Sequence, residues 1–191
     1  MTRFGFITLV CALGALGVTG CSGDDVGSEE DAARAYQGLD ASIDKAVSLG
    51  FDGFNAASSA NIPDQEGKGA MTGTITIGGK VDQGSSSNKT MSLTEKLVMY
   101  SDDGKLTYDT GASLPTIDMK LSKIPNGTLD GTLSGSYTLS GDLGGSVTLS
   151  LTFTGDLQAG SGTTVERKPG TTHITGTATS DYGTYDVDLT R

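Results

Sequence analysis

Strict alternation of apolar and hydroxyl-bearing residues is the feature of this sequence that most restricts its fold. Between positions 129 and 141, odd positions hold apolar residues or glycine, and even positions hold Asp, Ser or Thr. The segment 145–158 repeats the pattern, with Val147, Leu149, Leu151 and Phe153 separated by Ser and Thr. Because successive side chains of a β-strand point to opposite faces, this period predicts two strands with one buried and one solvated face. Residues 142–144 between them predict a hairpin turn.

Shorter copies of the alternation occur on both sides of this pair. They are centred on Ile75 and Ile77, Met91 and Leu93, Leu106 and Tyr108, Ile117 and Met119, Ile174 and Gly176, and Tyr185 and Val187. Short turns rich in Gly, Asp and Asn separate them, and no connection is long enough for the helical crossover of a parallel sheet. Residues 70–191 are therefore predicted to form a mainly β domain, an antiparallel meander of about eight strands.

Glycines in the apolar phase of these strands predict a curved sheet. Gly131, Gly135, Gly155 and Gly176 stand where a side chain would otherwise fill the core. Glycine at such positions often marks tight bending or the close approach of another element. Strands of about thirteen residues would span about 40 Å, which suits a strongly curled sheet better than a flat one. The expected sheet is strongly curled or barrel-like; the pattern leaves open whether it closes.

In the segment before the β domain, apolar residues recur every three or four positions. Tyr36, Leu39, Ile43 and Val47 share one helical face, behind a capping Ser28 and acidic residues. This predicts one amphipathic helix over 29–50, ended by a glycine, whose apolar face docks on the sheet; a partner-binding face is the alternative. Residues 51–69 are predicted to form a loop and residues 21–28 a polar tether.

The N-terminus has the properties of an export signal. A short start with Arg3 precedes an apolar run over 4–18, which is shorter than the roughly 20 residues of a comfortable membrane span. Val18-Thr19-Gly20-Cys21 follows, and this sequence resembles the lipobox of bacterial lipoproteins: an aliphatic residue, two small residues and a cysteine. The resemblance covers only the N-terminal segment of the chain.

The resemblance implies lipidation of Cys21 and removal of residues 1–20 as a signal peptide. In that family the cysteine thiol receives a diacylglycerol, signal peptidase II cleaves before it, and the new amine is usually acylated. Two or three acyl chains anchor a protein stably, whereas one does so only marginally. Cys11 lies inside the apolar run and would leave with the signal. Ser22 is similar to the residue that follows the cysteine in outer-membrane lipoproteins, so the implied location is the outer membrane of a bacterial envelope.

Charge and composition exclude several classes of function. The chain has 13 basic and 23 acidic side chains, and removal of residues 1–20 would take away only Arg3, leaving a net charge of −11. Such a polyanion lacks the basic surface of a nucleic-acid-binding protein. The mature chain would retain one cysteine, the lipid carrier, so no disulfide framework or cysteine-based metal site is expected. His173 falls on the polar face and is predicted to be an exposed bystander, and no catalytic motif occurs.

Glu95 is the one residue that conflicts with the strand pattern. It falls in phase with Met91, Leu93, Leu97 and Met99, where a carboxylate would be buried. We expect a β-bulge at 94–96 that turns it to solvent. The alternative is an inward carboxylate lining a wet cavity, in which case Glu95 is the candidate ligand-binding residue.

These observations favour a non-catalytic lipoprotein over an enzyme. The predicted function is a structural or interaction module of the envelope, held on the membrane by acyl chains and free to contact another envelope protein. The alternative is a barrel-like carrier or chaperone for an apolar or amphiphilic ligand, for which Glu95 would orient the polar end. Neither function requires a cofactor or a metal.

Overall fold

A computed structural model describes residues 23–82, 87–162 and 164–191. Within these ranges the chain forms eleven strands and two helices. The helices are α1 (Glu29–Gln37) and α2 (Asp40–Ala56). The strands are β1 (Asp24–Asp25), β2 (Asn61–Lys68), β3 (Thr72–Val81), β4 (Lys89–Ser101), β5 (Leu106–Thr110), β6 (Thr116–Ser122), β7 (Thr128–Gly141), β8 (Leu143–Ala159), β9 (Val165–Arg167), β10 (His173–Ser180) and β11 (Gly183–Thr190). The protein is mainly β, with the helices before the sheet.

The strands form one strongly curled sheet with the order β11-β10-β8-β7-β5-β4-β3-β2. β6 also pairs with both β4 and β7, so β5 and β6 together occupy one place between these long strands. Neighbouring strands are antiparallel, apart from the short β1, which runs parallel to β8. The helices pack on the inner face of the sheet, where α1 contacts the edge strand β11 and α2 contacts the edge strand β2.

The alternation seen in the sequence places the core as predicted. Leu133, Leu149, Leu151 and Phe153 are at most 2 % exposed, whereas the Thr and Ser residues between them face outward. β7 and β8 pair over twelve residues in one uninterrupted register. Burying several leucine-sized side chains, each stabilising by about 1.5–3 kcal/mol, ties this hairpin to the remaining core.

Glycine in the apolar phase makes room for large neighbours, as expected. A Cβ on Gly131 would lie 2.2 Å from the ring of Phe153, its partner on β8. A Cβ on Gly135 would lie 2.5 Å from Pro115. A side chain at either position would collide with the residue that fills its space, so these glycines set how closely the inner layer packs.

The boundaries before the sheet differ from the prediction. The predicted helix over 29–50 is divided at Gly38 and continues to Ala56. Gly50 lies inside α2, where a Cβ would meet Met91 and Leu93 at 3.2 and 3.3 Å, so this glycine permits close packing and does not end the helix.

Three strands lie in segments that were not predicted to contain any. Residues 51–69, predicted as a loop, hold the end of α2 and the edge strand β2, while β9 lies in the segment between β8 and β10. The predicted tether over 21–28 is wrong from residue 24 onward: Asp24 and Asp25 pair with β8, and Val26 is 1 % exposed. These additions raise the strand count from the predicted eight to eleven.

Candidate functional site

Glu95 lies on the inner face of β4 and is fully buried. Its side chain is 0 % exposed, beside Ile77 on β3 in the strand register. Tyr137 on β7 donates a hydrogen bond from its hydroxyl to Glu95 Oε2 at 2.9 Å. Ser42 on α2 faces the same carboxyl group. Three elements of the fold therefore converge on one acidic side chain.

The surroundings of Glu95 favour its neutral form. Burial raises its pKa from 4.5 to about 7, against the smaller opposing effects of hydrogen bonds from Ser42 and Tyr137. Neither Glu95 Oε1 nor Ser42 Oγ makes a hydrogen bond of standard geometry. The site can thus change its charge near neutral pH.

The predicted bulge at 94–96 is wrong, because Glu95 points inward. The register irregularity lies farther along β4, opposite Thr72 and Thr74, where Met99 adopts a positive φ of 48°. Beyond it Met99 faces solvent and Tyr100 faces the core. Met91, Leu93 and Leu97 face the core on the same side of β4 as Glu95, as predicted, but Met99 does not face the core.

The interior around Glu95 is packed. The side chains of α2 cover the position that a bound amphiphile would occupy, and neither Glu95 nor Ser42 lines the clefts of 240 to 450 Å³ on the described surface. In this conformation Glu95 is not accessible to solvent. Its geometry supports a protonation-dependent structural role.

A second polar cluster ties α2 to the end of β4. Lys45 donates to both Tyr100 Oη and Asp102 Oδ1, and Tyr100 donates to Asp102 Oδ2. The backbone N–H of Ala70 donates to Asp102 Oδ1 at 2.7 Å. Burial acts to raise the pKa of Asp102, but these hydrogen bonds outweigh it and lower the pKa. The sequence predicted only a turn at this aspartate, because its partners Lys45 and Ala70 are distant along the chain.

A third cluster joins α2 to β9. Arg167 is 8 % exposed and donates to Asp40 Oδ1 at 2.9 Å and to Asp44 Oδ1 at 2.6 Å. Arg191 approaches Asp40 at 3.6 Å. Burial acts to raise the pKa of Asp40, but the hydrogen bond and charge of Arg167 outweigh it and hold the pKa low. Arg167 was not predicted from the sequence, although its spacing of two from the buried Val165 is a signal of an inward position.

The entry of the chain into the domain is well defined. Cys21, the predicted lipidation site, lies outside the described residues. Gly23 packs against Gly141 and Asp142 at the β7–β8 turn, and Ser180 Oγ donates to the carbonyl oxygen of Val26 at 2.6 Å. The chain is therefore fixed to the sheet two residues after Cys21.

The single histidine lies on the surface of the sheet, away from these clusters. His173 is exposed, as predicted, and its Nε2 lies 2.8 Å from Asp188 Oδ1. Across the parts of the chain that the structure describes, no three His, Cys, Asp or Glu side chains group in a way that could hold a metal ion. The same residues include no helix with the length and apolar character needed to cross a membrane.

Comparison with family models, with curated proteins and with solved structures gives no match to this chain.

The raised pKa of Glu95 predicts a pH-dependent stability. Between pH 4.5 and 7 the carboxyl group of Glu95 is protonated in the folded protein and ionised in the unfolded protein. The free energy of unfolding therefore falls as pH rises across that window. The expected total is about 3 kcal/mol. Glu95→Gln, which stays neutral, should abolish this loss and be more stable than the parent above pH 7. Urea unfolding from pH 4 to 8 measures both curves.

The matched control for this prediction is Glu66→Gln, at an exposed position on β2. It should leave the pH profile of the parent unchanged. Parallel profiles for Glu95→Gln and the parent would show that Glu95 does not take up a proton on folding.

Proposed function

We propose that this protein is a non-catalytic lipoprotein of the bacterial cell envelope, anchored by acyl chains on Cys21 and acting as a structural or interaction module. The observation that carries the proposal is the sequence Val18-Thr19-Gly20-Cys21 at the end of a short apolar run. The position of the β domain supports it. Because the chain is paired with β8 from Asp24 onward, acylation of Cys21 would hold the whole domain directly at a membrane surface.

The character of the domain supports a module and not an enzyme. Three polar groups of the interior have partners on other secondary-structure elements: Glu95 with Tyr137, Asp102 with Lys45, and Arg167 with Asp40. Such networks fix how the helices lie on the sheet. The outer face of β7, β8 and β10 consists mainly of Thr and Ser side chains, some of them hydrogen-bonded across strands, as between Thr152 and Thr175 at 3.0 Å. A stable, polar and extended outer face suits contact with another envelope component.

A carrier for an amphiphilic ligand is the second candidate function. The observation in its favour is that Glu95 points inward among apolar side chains. Binding an amphiphile there would require α2 to leave the inner face. That movement would separate Arg167 from Asp40 and Lys45 from Asp102. The structural module needs no such rearrangement, and we favour it for that reason.

Substitution of the predicted lipidation site tests the proposal. Cys21→Ser removes the thiol that would receive diacylglycerol, so the variant should lose its acyl chains and appear as unprocessed or soluble exported protein. Without acyl chains the stable membrane anchorage is lost. Fractionation of cells and mass spectrometry of the purified protein measure both changes.

Cys11→Ser is the matched control, since Cys11 lies inside the apolar run that would be removed. It should leave mass, acylation and fractionation like those of the parent. Recovery of Cys21→Ser in the membrane fraction at the mature size of the parent would contradict the lipoprotein function.

A further inference from the structure

One end of the sheet carries the chain entry and a row of turns. The turns are those after β2 (69–71), between β4 and β5 (102–105), between β7 and β8 (142) and between β10 and β11 (181–182). Gly23 packs among them, against Asp142. We call this the anchor end. Two residues of extended chain reach at most about 7 Å, so Cys21 cannot be farther than that from Gly23.

Large exposed hydrophobic side chains are concentrated at the same end. Met71 is 62 % exposed and Tyr182 is 66 % exposed, and both lie in turns of the anchor end. Met99 and Val98, near the end of β4, are 57 % and 45 % exposed. Leu114 lies on the connection between β5 and β6, away from this end. Single exposed apolar residues are common on soluble proteins, but their concentration around the chain entry marks an interaction surface.

Met71 and Tyr182 lie on opposite sides of the chain entry. The side chain of Met71 packs against the turn at Gly104, and the next residue of that turn accepts a hydrogen bond from the backbone N–H of Asp142 at 2.9 Å. Gly23 rests on Asp142. On the other side, Tyr182 lines a surface cleft of about 420 Å³ with residues 23–25 and 27. The chain entry therefore lies between Met71 and Tyr182 along the anchor end.

We propose that the anchor end rests on the lipid bilayer, with Met71 and Tyr182 at the boundary between headgroups and acyl chains, on either side of the acylated Cys21. This inference rests on the proposed lipoprotein function and adds the orientation of the domain to it. Tyr is well suited to this depth, since its ring is apolar and its hydroxyl remains hydrated. The opposite end, with the turn at 123–127 and the segment at 160–172, then faces away from the membrane and is the end open to partners.

The charge of the anchor end identifies the kind of contact. Asp24, Asp25, Asp103, Asp142 and Asp181 lie along it, with fewer basic side chains near them. Anionic headgroups would repel these aspartates at the anchor end. The bilayer contact is therefore apolar, made by the exposed side chains after the acyl chains have brought the domain to the surface.

The protein contains no tryptophan, so a single introduced tryptophan reports on one position. We would prepare Met71→Trp and Tyr182→Trp as full mature acylated proteins in phosphatidylcholine vesicles whose acyl chains carry bromine, a contact quencher of tryptophan. Asn126→Trp, an exposed position at the opposite end, is the matched control. Most of the fluorescence of Met71→Trp and Tyr182→Trp should be lost relative to unbrominated vesicles, while Asn126→Trp should keep its intensity.

The outcomes separate this inference from the proposed function. Quenching of neither anchor-end variant, or of only one, in protein shown by mass spectrometry to be acylated and bound to vesicles would overturn the orientation and leave the lipoprotein function standing. Equal quenching of Asn126→Trp would overturn it as well. Absence of acyl chains on protein purified from membranes would instead contradict the proposed function, and the orientation with it.

Discussion

Leu149→Asp is expected to unfold the domain or to lower its free energy of unfolding by more than about 4 kcal/mol. Leu149 is 0 % exposed at the middle of β8, between Gly135 on β7 and Ala178 on β10. Neither neighbour carries a donor side chain, so a carboxylate there would be buried without a partner. The substitution would also remove an apolar side chain from a close-packed core. Urea unfolding of residues 22–191, followed by circular dichroism, measures the effect.

Thr148→Asp is the control one residue away. Thr148 faces solvent, where its hydroxyl lies 2.7 Å from Ser136 Oγ. Exposed substitutions of this kind change stability by about 0.5 kcal/mol or less. Equal shifts of the urea midpoint for the two variants would contradict the assignment of inner and outer faces.

The parts of the fold that the sequence predicted are those in which local pattern and tertiary burial agree. β7 alternates over 128–140 and β8 over 147–157, so the face of Tyr137 or Phe153 follows from counting. The same agreement holds for the inner glycines, because a missing side chain in an apolar phase has few explanations other than a close neighbour. Gly131 beside Phe153 is the clearest case.

β2 could not be predicted because its sequence lacks a periodic pattern. It contains Pro63 and Gly67, and Ile62 is its one well-buried side chain. It forms a strand because its backbone pairs with the edge of β3, and because α2 packs on Ile62 at Gly53. These causes lie in the tertiary structure, and no window of sequence contains them.

The burial of Glu95 depends on contacts that the pattern of its own strand does not contain. The alternation correctly placed this carboxylate in the inner phase, and the expectation that a bulge must rescue it was wrong. What offsets its burial is a hydrogen bond from the hydroxyl of Tyr137 on β7, while the hydroxyl of Ser42 on α2 faces the same carboxyl group without a hydrogen bond of standard geometry. A buried polar group can be satisfied by partners that are far away in sequence, which a single-strand pattern does not reveal.

The same holds for Arg167, which was not predicted from the sequence. Its partners Asp40 and Asp44 precede it by more than a hundred residues, yet they place one guanidinium group between α2 and β9. Burial acts to lower the pKa of Arg167, but Asp44 and Asp40 outweigh it and raise the pKa further above its usual value. The guanidinium is therefore charged at every accessible pH, and it holds the pKa of Asp40 low.

Arg167→Met should lower the free energy of unfolding by about 3–5 kcal/mol at pH 7, because it removes the buried cation that pairs with the carboxylate of Asp40. The loss should shrink as pH falls toward 3.8, the ordinary pKa of Asp40, where protonation removes the unpaired charge. Lys168→Met is the matched control, since Lys168 is exposed and next in sequence. Denaturation at pH 7 and pH 4 measures both variants. If Arg167→Met is no more destabilising than Lys168→Met, or if its loss does not depend on pH, the ion pair does not hold α2 against β9.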